Sequence, residues 1–138
     1  MSRLIITITL FMFPLISFAN NDYIPTSCYE ISDQDFLRTC EIARHYQTPI
    51  YMTTAALSVA GIEVTSKTCG FKLTERFVEV KNKILQSQKI SDVYYLFLYQ
   101  IREHQKTQNN KFHCENSYKM LGPNSPKGPN GGSNQMFY

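Results

Sequence analysis

Apolar residues recur at intervals of three and four along most of this chain, the spacing that gathers them on one face of an α-helix. Ser32 and Thr74 precede two such stretches as N-cap residues, and Ser91 opens a third. The pattern predicts helices over residues 33–47, 75–87, 91–106 and 112–121. It therefore predicts an all-α domain over residues 20–121, a small bundle of four to five helices.

The fifth candidate helix, residues 50–60, has a less regular pattern. It is rich in Thr, Ala and Ser, with Pro49 before it and Gly61 after it, as is typical of the first turn of a helix and of its end. Its two flanks, residues 50–52 and 62–64, also have the composition of strands. Residues 50–64 are therefore compatible with helix or with strand, and residues 65–71 are expected to form a loop.

Residues 91–106 carry more apolar side chains than one core-facing stripe needs. The expected core face consists of Val93, Tyr94, Phe97, Leu98 and Ile101. Tyr95 and Tyr99 lie four residues apart outside that stripe, and Arg102 follows three residues later. Tyrosine and arginine are among the residue types that contribute most to interface energies. We therefore predict that Tyr95, Tyr99 and Arg102 form a protein-binding strip.

The composition changes sharply after Leu121, where residues 122–138 read GPNSPKGPNGGSNQMFY. Proline recurs every third residue from Pro123 to Pro129, which favours a locally extended chain, and two adjacent glycines follow. Such a composition buries too little apolar area to offset the entropy of ordering. Residues 122–138 are predicted to be a disordered Pro/Gly-rich tail whose loss leaves the domain's stability nearly unchanged.

Residues 1–19, MSRLIITITLFMFPLISFA, have the three-part layout of a secretory signal peptide. Arg3 precedes an apolar run, and the segment ends in Ser17-Phe18-Ala19, with small residues three and one positions before the expected cut. The run is shorter than the roughly 20 apolar residues of a membrane-spanning helix. We expect an exported mature protein, secreted or periplasmic, that begins near Asn20 and has no membrane attachment after cleavage.

The mature chain contains four cysteines, and an even count in a small exported domain predicts two disulfides. Cys28, Cys40, Cys69 and Cys114 allow three pairings, among which the sequence does not choose. The pairing we favour joins Cys40 to Cys69 and Cys28 to Cys114. The first bond would tie the first helix to a loop, and the second would join the two ends of the domain.

The charge pattern gives no indication of a nucleic-acid partner. Removal of Arg3 with the signal peptide leaves 13 basic and 11 acidic residues, a net charge of +2. The basic residues are scattered among acidic ones and form no dense stripe that would follow a phosphate backbone.

Three histidines are the candidates for catalysis or metal binding in this chain. His113 stands beside Cys114, but a cystine is the more common use of such a cysteine. Glu41 and His45 lie four apart, and either His104 or His113 could complete a three-ligand metal site. Exposed Glu–His neighbours of this spacing are common on helices. We therefore expect no enzyme activity, no cofactor and no metal.

These observations together predict an exported, non-catalytic protein-binding module. It would inhibit or neutralise a partner protein or act as a host-directed effector, and the identity of the partner is open, with a homodimer among the options. One alternative is a structural or accessory component of a bacterial envelope or secretion assembly, with the tail as a tether. A second alternative is a small exported hydrolase.

Cleavage and oxidation of the exported protein are checked by its intact mass. The mass should correspond to a chain beginning near Asn20 and should lie four hydrogens below that of the fully reduced chain, because two cystines form. An exported chain that retains residues 1–19 would contradict the signal peptide, and free thiols at all four cysteines would contradict the disulfides.

Overall fold

The structure is a computed structural model that describes residues 23–106, 111–128 and 131–138. The predicted signal peptide, residues 1–19, lies outside the described residues and stays a prediction. Five helices follow one another in the chain: α1 (Gln34–Tyr46), α2 (Ile50–Cys69), α3 (Glu75–Ile84), α4 (Gln88–Gln105) and α5 (Lys111–Leu121). The described residues form no β-strand, and an isolated antiparallel bridge joins Leu73 to Phe137. The predicted all-α bundle is confirmed.

Two of the helix starts show side-chain capping. The Asp33 carboxylate, one residue after the expected Ser32, accepts a hydrogen bond from the backbone N–H of Phe36 at 2.9 Å and begins α1. Thr74 caps α3 as expected, its hydroxyl accepting from the N–H of Phe77 at 3.3 Å. Both caps satisfy backbone donors that have no partner inside the helix.

Helix α2 is longer than the sequence predicts, and the expected loop over residues 65–71 is wrong. The helix passes through Gly61 and ends only at Gly70, which has a left-handed φ of 71° and whose N–H donates to the carbonyl of Ser66. A glycine inside a helix costs about 1 kcal/mol relative to alanine. Full burial of Ile62 and near-full burial of Val64, at roughly 1.5–3 kcal/mol each, offsets that loss.

Helix α2 lies at the centre of the bundle, and the other four helices pack around it. Its buried positions are mostly small or hydroxyl-bearing: Thr53, Thr54, Ala55, Ala56, Ser58, Val59, Ala60, Gly61, Ile62, Val64, Thr65 and Ser66. The hydroxyls of Thr53 and Thr54 donate to carbonyls four residues earlier at 2.9 Å, and that of Ser58 does so at 3.1 Å. Hydroxyls satisfied in this way can be buried without the penalty of a missing partner.

The two disulfides join Cys28 to Cys40 and Cys69 to Cys114, so the pairing favoured from the sequence is wrong. The chain turns at residues 29–30, where the Ile31 N–H donates to the Cys28 carbonyl at 3.4 Å, and Cys28 lies next to Cys40 of α1. The extension of α2 places Cys69 at its last residue, next to Cys114 on α5. In the chain-entropy model the sequence separations of 12 and 45 residues correspond to about 3 and about 4 kcal/mol.

The C-terminal segment lacks helix and strand over residues 122–128 and 131–135, as expected of the predicted tail, but its last residues pack against the domain. Met136 and Phe137 are fully buried in the core. Both backbone N–H groups donate to the Leu121 carbonyl, at 2.7 and 3.0 Å, and Thr74 N–H donates to the Met136 carbonyl at 2.9 Å. Burial of these two apolar side chains and pairing of their backbone groups stabilise the packed end of the segment, a contribution that the Pro/Gly-rich part does not make. Residues 129–130 of the predicted tail lie outside the described residues.

In the part of the chain that the structure describes, no helix combines the length and the apolar character needed to cross a bilayer.

Anchoring of the C-terminal end is tested by comparing Phe137→Ala with Tyr138→Ala. Phe137 is fully buried whereas Tyr138 is about half exposed, so Phe137→Ala should lower the free energy of unfolding by about 3 kcal/mol or more. Tyr138→Ala should change it by less than about 1 kcal/mol. Urea unfolding of the mature protein measures both values. Equal small effects would show that the segment does not pack as described.

Candidate protein-binding site

Helix α4 presents opposite faces to the core and to solvent. Val93, Phe97 and Ile101 have exposed fractions of 0, 2 and 4 %, so their expected burial is confirmed. Tyr95 and Tyr99, on the opposite side of the helix, are 58 and 65 % exposed. The two tyrosines therefore lie outside the core, although the opposite side of their helix is part of it.

We call Tyr95, Tyr99 and Arg102 the tyrosine face. The three residues follow one another at intervals of four and three on α4, so their side chains lie along one line of the helix surface. Arg102 is exposed, and its guanidinium has no hydrogen-bond or ion-pair partner among the described residues. The face thus combines two aromatic rings with an uncompensated positive charge.

Charged side chains continue the tyrosine face at both ends. Towards the start of α4, an Asp92 carboxylate oxygen accepts from the Gln88 amide at 3.0 Å. Towards its end, Lys106 pairs with Glu103 at 2.7 Å. The hydrogen bond to Glu103 and the negative charge of that carboxylate raise the pKa of Lys106. The charge along this exposed side of α4 therefore changes from negative at Asp92 to positive at Arg102 and Lys106.

A cluster centred on Lys81 supports the tyrosine face from the side of α3. The ring of Tyr94 meets that of Tyr95 edge-on, with 5.1 Å between centroids, and the Lys81 ammonium lies 5.4 Å from the Tyr94 centroid. Lys81 also donates to both carboxylate oxygens of Glu63 on α2, at 3.1 and 3.0 Å. The sequence gives no indication of this cluster, because Glu63 and Lys81 are 18 residues apart and no local spacing relates them.

On another side of α4, Arg38 of α1 donates to the side-chain oxygen of Gln100 at 2.8 Å. This contact joins α1 to α4 directly, in addition to the packing of both helices on α2. In addition to its core face, helix α4 therefore contacts α1 through this hydrogen bond and α3 through the Lys81–Tyr94 contact.

The histidines considered for chemistry are placed differently from the tyrosine face. Cys114 is in a disulfide, and the neighbouring His113 is buried with its Nε2 3.1 Å from the Thr65 hydroxyl of α2. Glu41 and His45 are both exposed on α1. Among the described residues, no three of the side chains His, Cys, Asp and Glu are grouped so that they could hold a metal ion. His113 is therefore occupied with a helix–helix contact, and Cys114 carries no thiol.

Comparison with known proteins gives no match: no protein-family model, no curated protein and no solved structure is significantly similar to this chain.

Burial of the His113 ring predicts a loss of stability in acid. Burial lowers the pKa of His113 below its ordinary value of 6.5, because the charged ring is poorly solvated there. As the pH falls through that value, the unfolded chain binds a proton more readily than the folded chain does. The stability contributed by the neutral ring is therefore complete at higher pH and is lost on acidification.

This prediction is measured by urea unfolding at about pH 7.5 and about pH 5, on either side of the ordinary histidine pKa. His113→Gln should reduce the pH dependence of the free energy of unfolding. His45→Gln, on the exposed side of α1, is the matched control and should keep it. An unchanged pH dependence in His113→Gln would contradict the assignment.

Proposed function

We propose that this protein is an exported, non-catalytic protein-binding module that binds its partner through the tyrosine face. The observation that carries the proposal is the exposure of Tyr95 and Tyr99 on a helix whose opposite side is buried. A helix that only completes the core needs one apolar side, and the remaining positions are normally polar. Two large aromatic side chains on the solvent side therefore favour a role outside the fold.

The residue types of the face suit binding. Tyrosine provides a large contact area with few rotatable bonds, so little side-chain entropy is lost when a partner orders it. Arg102 can form a two-pronged hydrogen bond with a carboxylate, and no described residue competes for it. A partner that offers an apolar groove with an acidic group at one end would match this face.

The covalent structure supports export. Two disulfides link all four cysteines, and disulfides of this kind are typical of oxidising compartments. Together with the signal-like residues 1–19, this supports a secreted or periplasmic protein. In such a compartment, a small stable module acts by occupying a surface, as an inhibitor or neutraliser of a partner or as a host-directed effector.

The anchored C-terminal end disfavours the alternative of an envelope or secretion accessory protein tethered by its tail. A tether needs a segment that is free of the domain, whereas Met136 and Phe137 lie in the core and their N–H groups donate to the Leu121 carbonyl. Leu121 and Met136 therefore lie side by side, so the described residues between them leave the core and return to it at one place.

The proposal is tested by binding measurements with Tyr95→Ala/Tyr99→Ala. Loss of both rings should weaken partner binding by roughly 2 kcal/mol or more, about thirtyfold, while the melting temperature stays close to that of the unmodified protein. Affinity capture from candidate host and bacterial extracts, followed by titration of the captured partner, provides the measurement. Tyr29→Ala, at an exposed tyrosine outside α4, is the matched control and should bind normally.

Phe97→Ala separates binding from folding. Phe97 is 2 % exposed, so this substitution should lower the free energy of unfolding by about 3 kcal/mol or more. If the double tyrosine variant unfolds as readily as Phe97→Ala, the tyrosines belong to the core and the proposal fails. If it folds normally and binds every captured partner as before, binding occurs elsewhere.

A further inference from the structure

The exposed line of α4 extends beyond the tyrosine face with a regular repeat. Its members are separated alternately by four and three residues and are all exposed: Gln88, Asp92, Tyr95, Tyr99, Arg102 and Lys106. Alternating intervals of four and three give an average of about 3.5 residues, the repeat with which one helix packs lengthwise on another in a coiled coil. This line of α4 is therefore spaced to receive a second helix along its length.

The same line is self-complementary about the level of Phe97. Tyr95 and Tyr99 stand two residues before and two residues after that level, and Asp92 and Arg102 stand five before and five after it. A two-fold axis perpendicular to α4 at this level exchanges the members of each pair. In an antiparallel pair of α4 helices, Tyr95 would face Tyr99 of the second copy, and Asp92 would face Arg102 of the second copy.

We propose that the tyrosine face binds a second copy of this chain, with the two α4 helices antiparallel and related by a two-fold axis near Phe97. The inference rests on the proposed function of the tyrosine face as a protein-binding surface and names its partner. The contact is isologous, so one favourable pairing occurs twice. It contains two ion pairs between Asp92 and Arg102 and two tyrosine pairs.

The charges favour a second copy as the partner and an antiparallel arrangement of the two α4 helices. A parallel arrangement would place Asp92 against Asp92 and Arg102 against Arg102, and like charges in contact disfavour association. The antiparallel arrangement removes the repulsion and gives Arg102 the carboxylate that no described residue supplies within the chain. The hydrogen bond from Gln88 uses one oxygen of Asp92, so the other oxygen is available to Arg102 of the second copy.

The size of the contact sets the strength to be expected. One helix face of this length buries less than the standard interface of about 1,600 Å² in total, so the dimer belongs among weak, transient associations. Because the dimer covers the same tyrosines, any other protein that uses this face competes with the second copy.

The experiment is sedimentation velocity of the mature, disulfide-bonded protein between about 1 µM and about 1 mM, the range of weak affinities. The unmodified protein should shift from monomer to dimer within this range. Asp92→Arg and Arg102→Asp should each weaken self-association at least about tenfold, since each variant places like charges opposite one another. An equimolar mixture of the two variants should dimerise with an affinity within a few fold of the unmodified protein, because opposite charges then face each other at both positions.

Glu79→Arg, an equivalent charge change at an exposed position on α3, is the matched control and should dimerise normally. A monomeric unmodified protein at the highest concentration would overturn the inference, as would single variants that self-associate normally or a mixture that stays monomeric. Each of these results leaves the proposed function open to its own test, since capture of another protein lost in Tyr95→Ala/Tyr99→Ala would still assign the face to that partner.

Discussion

The packing of the other four helices around α2, with α4 in the most extensive contact, is the constraint on which the rest of this structure depends. The side chains that face the neighbours of α2 are mostly alanine, threonine, serine and glycine, so neighbouring backbones can lie near its axis on several sides. A central helix of large apolar residues would fill the same space with side chains and hold its neighbours apart. The hydroxyls remain compatible with burial because they have hydrogen-bond partners: that of Thr54 donates to a carbonyl four residues earlier, and that of Thr65 lies 3.1 Å from Nε2 of His113 on α5.

The orientation of α4 follows from this packing. Helix α2 receives the side of α4 that carries Val93, Phe97 and Ile101, and rotation about the helix axis would replace these side chains with tyrosine hydroxyls or Arg102. A buried guanidinium without a partner is far more costly than an exposed tyrosine ring, so the observed orientation is strongly preferred. Exposure of Tyr95 and Tyr99 is therefore a consequence of how the core is filled.

The sequence predicted helices correctly where one side of the helix faces the core. It did not predict features that depend on contacts between residues distant in the chain. The stripes of α1, α3 and α4 could be recognised because polar residues separate them from the solvent side, and the exposed tyrosines of α4 were predicted for the same reason. Helix α2 has no such contrast, since buried residues surround it, and the local signal of Gly61 was therefore misinterpreted as an end. The cysteine pairing and the buried Met136 and Phe137 depend on contacts distant in the chain, such as the one between Thr74 and Met136, which no local pattern contains.

Neither the disulfides nor the buried C-terminal residues belong to the tyrosine face, and their arrangement bears on how that face binds. One disulfide attaches the N-terminal segment to α1, and the other attaches the end of α2 to α5, whose last residue holds the C-terminal end. Helix α4 carries no disulfide. It is nevertheless held in place by packing on α2, by the contact of its Tyr94 with the Glu63–Lys81 pair and by the hydrogen bond from Arg38 to its Gln100. A binding surface on a helix held from several sides loses little conformational entropy when a partner arrives. The contact energy of two tyrosines and one arginine is then available for affinity, which allows a small face on a small domain to function as a binding site.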